Sequence, residues 1–225
     1  MGSRARSRRV LGVVSFSLAA AMGFLLGGSL SIEDVQETTI DWDKVKSAFR
    51  DYLKDPVPEN AKLFLDTLPK ERTSNDMGDE NVATLYIYDN CLSFESGVLG
   101  VLAGDAYLAE AAFRLLNFSD AAFSEALREI LANLATRNPK LFLKLLEKYK
   151  ASPHIKRVGY PVYGTTSYAR EEILSEWRKR IEALKTVKET KYRQIRDECI
   201  RLLEGAIKYP PDWLDDVKKC GMMHH

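Results

Sequence analysis

The sequence predicts an all-α protein of stacked antiparallel helical hairpins, an irregular bundle or a short α-solenoid, following an N-terminal signal or anchor segment. Three observations carry that expectation. From Trp42 onward apolar residues recur at three- and four-residue intervals rather than alternating, the period of a helix face. Helix starts are punctuated by Asp or Asn, whose side-chain oxygens accept from free amides, and by Pro in the first turn. A motif also echoes: Asn60-Ala61-Lys62-Leu63-Phe64-Leu65 with Leu68 matches Asn138-Pro139-Lys140-Leu141-Phe142-Leu143 with Leu146, and repeated helix pairs stack because neither buries its apolar face alone.

Arg4, Arg6, Arg8 and Arg9 precede an uncharged run at residues 10–30, and Glu33-Asp34 restore polarity. That pattern is an export signal or a membrane anchor. Ser7-Arg8-Arg9-Val10-Leu11 resembles the start of a twin-arginine signal. The run approaches a span of about 20 residues, while Gly27, Gly28, Ser29 and Ser31 supply the small residues that a signal peptidase needs, so cleavage and retention both stay open. No cysteine follows to make a lipoprotein anchor, and Arg6 stands where a myristoylation motif needs Ser or Thr. Residues 1–31 are therefore assigned as signal or anchor, 32–40 as linker, 41–220 as the helical domain and 221–225 as a flexible tail. The helical domain is expected in an exported compartment, periplasmic or on the outer face of a membrane, with membrane association through residues 10–30.

Asp41 is placed to cap a helix carrying Trp42, Val45, Phe49, Tyr52 and Leu53, which Asp55-Pro56-Val57-Pro58 ends. The first copy of the repeated motif follows and stops at Pro69. Residues 70–80 read as a charged surface connection, and 81–103 as a central buried helix whose Gly97, Gly100 and Gly104 let a neighbour approach. Asp105 restarts a helix with Tyr107, Leu108, Ala111, Ala112 and Leu115 on its apolar face. Residues 120–150 form the clearest hairpin: Asp120 caps Phe123, Leu127, Ile130, Leu131 and Leu134, and Asn138-Pro139 begins the return. Residues 151–167 read as one long loop holding His154, Tyr160 and Tyr163, the kind of connection that carries binding. From Tyr168 to Ile207 a stripe through Ile173, Trp177, Ile181, Leu184, Ile195, Cys199, Leu202 and Ala206 predicts two helices, with Thr186-Val187-Lys188-Glu189 as a capping box starting the second. Tyr209-Pro210-Pro211 then turns the chain into a last short helix at 212–219.

Apolar residues make up 45% and charged residues 29% of the chain, an ordinary globular balance rather than that of a disordered polymer. The net charge is +1; without the four leading arginines 29 basic residues face 32 acidic ones, so no footprint for nucleic acid exists at the level of the whole chain. Residues 170–208 hold eleven basic against eight acidic residues, including Arg178-Lys179-Arg180, read as a solvated helix surface.

No zinc, phosphate-loop or dinucleotide fingerprint is present, and no cofactor or metal is expected. The histidines are His154, His224 and His225, so a histidine-based triad could use only His154, which reads as a polar loop residue. Cys199 and Cys220 flank the Pro210-Pro211 turn at similar distance, and a bridge between them would stabilise by about 3 kcal/mol; Cys91 reads as a buried thiol. The tail Cys220-Gly221-Met222-Met223-His224-His225 gathers soft Cu(I)-type ligands but reads first as a frayed end. Asn117-Phe118-Ser119 fits a glycosylation sequon.

Phe94-Glu95-Ser96-Gly97 contains Glu-Ser-Gly, which resembles the acid motif of lytic transglycosylases. The resemblance covers three residues and implies a glycan-cleaving enzyme in which Glu95, its pKa raised among apolar neighbours, protonates a glycosidic oxygen. The primary expectation is instead an exported helical interaction or structural module without catalytic residues. It binds a protein partner through Tyr160 and Tyr163, and does not bind nucleic acid.

Overall fold

Capping side chains set where four of the helices begin. The computed structural model describes residues 40–70, 85–87, 89, 100–119, 121–165, 169–211 and 214, all within one unit, Thr38–His225. The N-terminal segment, the cap at Asp120, Cys91, Glu95, Gly97, Cys220 and the tail lie outside the described residues. Among the described residues every regular element is a helix, so the chain is all-α.

Helix α1 (Trp42–Lys54) starts where Asp41 accepts from the Lys44 amide at 3.0 Å. Helix α2 (Pro58–Thr67) has proline in its first turn. Helix α3 (Ala106–Leu115) begins with Asp105 Oδ1 accepting from the amides of Tyr107 and Leu108 at 2.9 and 3.0 Å. Helix α4 (Ala121–Arg137) and helix α5 (Pro139–Tyr149) form the hairpin, with Asn138 Oδ1 accepting from Leu141 N at 3.2 Å. Helix α6 (Pro153–Val158) follows, then α7 (Arg170–Lys185), a single 3₁₀ turn (Thr190–Tyr192) and α8 (Arg193–Lys208).

Three sequence expectations need correction. Residues 151–167 are not a plain loop: Ser152 accepts from Ile155 N at 3.3 Å and Pro153 occupies the first turn, which starts α6 by the same chemistry as Asn138-Pro139. Asn60 does not match Asn138 as a cap, because Pro58 has already fixed the start of α2; its Nδ2 donates instead to Asp55 O at 2.8 Å. Thr186 does not open a capping box. It closes α7, its hydroxyl donating to Ala183 O at 2.7 Å, and Glu189 pairs with Lys140. The interruption between α7 and α8 is nonetheless where the sequence puts it.

Packing follows chain order. Helix α1 lies on α2, α2 on α3, α3 on both α4 and α5, α4 on α5 and α7, and α8 on α7 and α5. The core is continuous through aromatic pairs: Trp42 edge-on to Phe118 at 5.7 Å, Phe49 on Phe64 at 4.8 Å, and Phe113 stacked on Tyr149 at 5.7 Å. Each such ring buried contributes about 1.5–3 kcal/mol. Gly100 permits one tight crossing, since a Cβ there would sit 2.5 Å from Leu108 Cδ1 and 2.9 Å from Tyr52 Oη. Gly104 makes a turn at φ +93° and also lies close to the cap of α5, since a Cβ there would sit 2.7 Å from Asn138 Nδ2.

One polar network ties α2, α3 and α5 together. Glu110 Oε1 on α3 accepts from Lys148 Nζ at 2.6 Å and Tyr149 Oη at 2.8 Å, both on α5. Arg114 lies 3.3 Å from the same carboxylate, and its Nη1 donates to the Leu65 and Leu68 carbonyls that finish α2. Burial disfavours the Glu110 carboxylate, but the hydrogen bonds from Lys148 and Tyr149 and the two cations outweigh it and hold its pKa below 4.5. A depressed carboxylate pKa adds stability that is complete above the unfolded value and lost as pH falls through the folded one. Glu110→Gln should therefore cost about 1–2 kcal/mol at pH 7. Denaturant unfolding of both proteins should show that gap closing as pH drops below about 4.5; a gap independent of pH would contradict the network's ionic character.

Candidate functional site

The segment at 160–165 is held by side chains on three helices. On α7, Trp177 and Arg180 are three residues apart and face the same way. Trp177 Nε1 donates to Tyr163 O at 3.2 Å, and Arg180 Nη1 donates to Val162 O at 2.6 Å and Gly164 O at 3.0 Å. Three successive carbonyls are thus bound by one helix face. Thr165 Oγ1 adds a bond to Glu176 Oε2 at 2.8 Å, Arg128 Nη2 on α4 reaches Tyr160 O at 3.4 Å, and Tyr160 Oη donates to Glu198 Oε2 on α8 at 3.1 Å.

Close backbone contact completes the strap. A Cβ on Gly164 would lie 2.3 Å from Arg128 O and 2.7 Å from Glu129 N, so only glycine lets the segment rest on the α4 backbone. Gly159, at φ +82°, supplies the turn out of α6.

Arg180 is the most unusual residue in this arrangement. It is 1% exposed, and its Nε has no hydrogen-bond partner among the described residues. Burial lowers its pKa to about 10, with Glu176 acting in the opposite direction. The sequence had placed it on a solvated basic face with Arg178 and Lys179; those two are exposed, whereas Arg180 points inward with Trp177 and Ile181. The i, i+3 pairing of Trp177 with Arg180 was the available signal.

The strap makes one wall of a cleft of about 750 Å³. Tyr163 stands edge-on to Trp177 at 5.8 Å, and the opposite side is α8, through Arg201, Leu202, Gly205 and Ala206. Glu125 and Arg128 of α4 close one end, and Tyr209 and Pro211 lie past the end of α8. The volume lies in the range of ligand pockets.

Of the two tyrosines expected to bind, Tyr163 lines this cleft and Tyr160 does not. Tyr160 is a positioning residue: burial, then the Glu198 carboxylate that it donates to, pushes its pKa to about 12. Tyr163 has a pKa raised by burial, with Arg201 opposing the rise.

His154 is not an exposed loop residue. It sits on α6 at 6% exposure with Nε2 3.2 Å from Ser124 Oγ, itself 8% exposed, and neither lines the cleft. The pair joins α6 to α4 as a buried polar contact. Cys199 is a free thiol facing the core at 0% exposure; burial and the neighbouring Glu198 push its pKa to about 12, which keeps it a thiol, and its expected partner Cys220 lies outside the described residues. Across α4 and α7, Glu129 has a pKa raised by burial and by the charge of Glu176. Among the described residues no group of three or more His, Cys, Asp or Glu could hold a metal ion, and no helix is long and apolar enough to cross a membrane. Glu95 lies outside the described residues.

No protein-family model, curated protein or solved structure matches the chain.

Because the atoms facing Gly164 are backbone and cannot rotate away, Gly164→Ala should destabilise by about 1–3 kcal/mol. Calorimetry should find the melting temperature lowered by roughly 2–12 °C. An unchanged value would mean that the segment does not rest on α4.

Proposed function

We propose that this protein is an exported binding module without catalytic activity, in which helical hairpins stack in chain order to support a fixed cleft for a protein partner. The observation that carries the reading is the strap: three consecutive carbonyls held by Trp177 and Arg180, which set Tyr163 as a cleft wall through contacts within the chain itself. Ordering a loop on binding costs free energy, so a surface ordered beforehand retains more of its contact energy as affinity. Tyrosine, tryptophan and arginine together are the composition of interface centres. Export, with the helical domain periplasmic or anchored to the membrane outside the cytoplasm, rests on the four arginines and the uncharged run at 10–30.

The test is photocrosslinking in intact cells with benzoylphenylalanine at position 163, compared with the same group at Leu63, an exposed α2 residue. A discrete protein adduct formed from position 163 and not from 63 is the expected result. Identical adducts at both positions, or none at 163, would remove the proposal.

A further inference from the structure

Resting on the reading of a binding module, we infer that the cleft receives a partner peptide carrying one carboxylate beside a bulky apolar side chain. The charge at the site is the first argument. Arg201 lines the cleft and, among the described residues, makes no ion pair or hydrogen bond, whereas Arg128 is engaged with Tyr160 O and lies near Glu125. One cation is therefore left to meet an anion, through the planar fork that suits a carboxylate. A polyanion fits poorly, because Glu125 stands in the same lining.

The apolar half of the ligand follows from the walls. Tyr163 and Trp177 present an edge-to-face aromatic corner, Leu202 and Ala206 continue it, and Tyr209 stands 72% exposed past the end of α8. Such a corner suits a large side chain rather than a hydrated group.

Gly205 argues for a peptide rather than a compact small molecule. It lies inside α8, where alanine would favour the helix by about 0.5–1 kcal/mol, and a Cβ built on it meets no described atom within 4 Å. Nothing among the described residues requires glycine there. The bare backbone lies on the cleft, where a second backbone could approach closely.

The test uses the full chain, purified in a mild detergent, to select from a displayed library of random 12-residue peptides. Synthetic copies of the enriched peptides are then titrated against wild type, Arg201→Glu, Arg201→Lys and Gly205→Leu. Arg201 and Gly205 are exposed, so the variants should fold, and circular dichroism checks this. Enriched peptides should share Asp or Glu within three positions of an aromatic or branched residue. Their affinity should fall at least tenfold with Arg201→Glu and with Gly205→Leu, and by a smaller factor, about three- to tenfold, with Arg201→Lys, which keeps the charge but loses the fork. Enriched peptides without an acid, or affinities unchanged in both disruptive variants, would overturn this inference and leave the binding-module reading standing. Failure to enrich any sequence, joined with no adduct from position 163, would overturn both.

Discussion

A buried arginine gripping two backbone carbonyls is the interaction on which the cleft wall depends. A guanidinium at 1% exposure gives up its hydration, and Arg180 recovers only part of it through Val162 O and Gly164 O. Burial of an incompletely satisfied cation is costly, and its direct reward here is geometric, as it fixes a segment that has no helix or sheet ladder of its own. The carbonyls are equally committed: without Arg180 they would face α7 with no donor. Both hydrogen bonds of Arg180 go to the segment it holds.

The remaining contacts make sense around that grip. Trp177 occupies the carbonyl between the two that Arg180 takes and turns its ring to Tyr163, so one helix face both anchors the segment and forms the cleft wall. Gly164 removes the side chain that would lift the strap from α4, and the Tyr160 hydroxyl ties its leading end to α8. The Glu110–Arg114–Lys148–Tyr149 network is separate, joining α2, α3 and α5 without lining the cleft. Helix packing and the cleft wall are thus stabilised by two different polar clusters, and substitutions in one need not disturb the other.

Much of the helical framework was legible because its causes are local. Asp41, Asp105 and Asn138 cap as their side chains dictate, and the apolar periods of α1, α4, α5 and α7 mark the buried faces; on α8 Ile195 and Cys199 are buried as expected, but Leu203 continues the face while Leu202 and Ala206 line the cleft. Ser152-Pro153 carried the same start signal as Asn138-Pro139, but the six-residue helix that it opens is too short to show a period. Arg180 was misread for a deeper reason. Within a run of three basic residues, charge alone says solvent, and only the partner carbonyls eighteen and sixteen residues away reverse that preference. Tyr163 lines the cleft and Tyr160 does not, a separation that depends on Glu198 and Trp177, which sequence spacing does not bring near. The echo between Asn60 and Asn138 was a resemblance of letters. The cap differs, although Phe64 and Leu65, like Phe142 and Leu143, do face the core.

The most direct measurement is amide hydrogen exchange of Arg180→Met against wild type, followed in peptides covering residues 159–165 and in peptides from α4, α7 and α8. If Arg180 holds the strap, exchange in 159–165 should quicken at least tenfold while the three helices keep their protection. Unchanged protection of 159–165, or an equal loss across all the helices, would contradict the claim that this one side chain positions the strap.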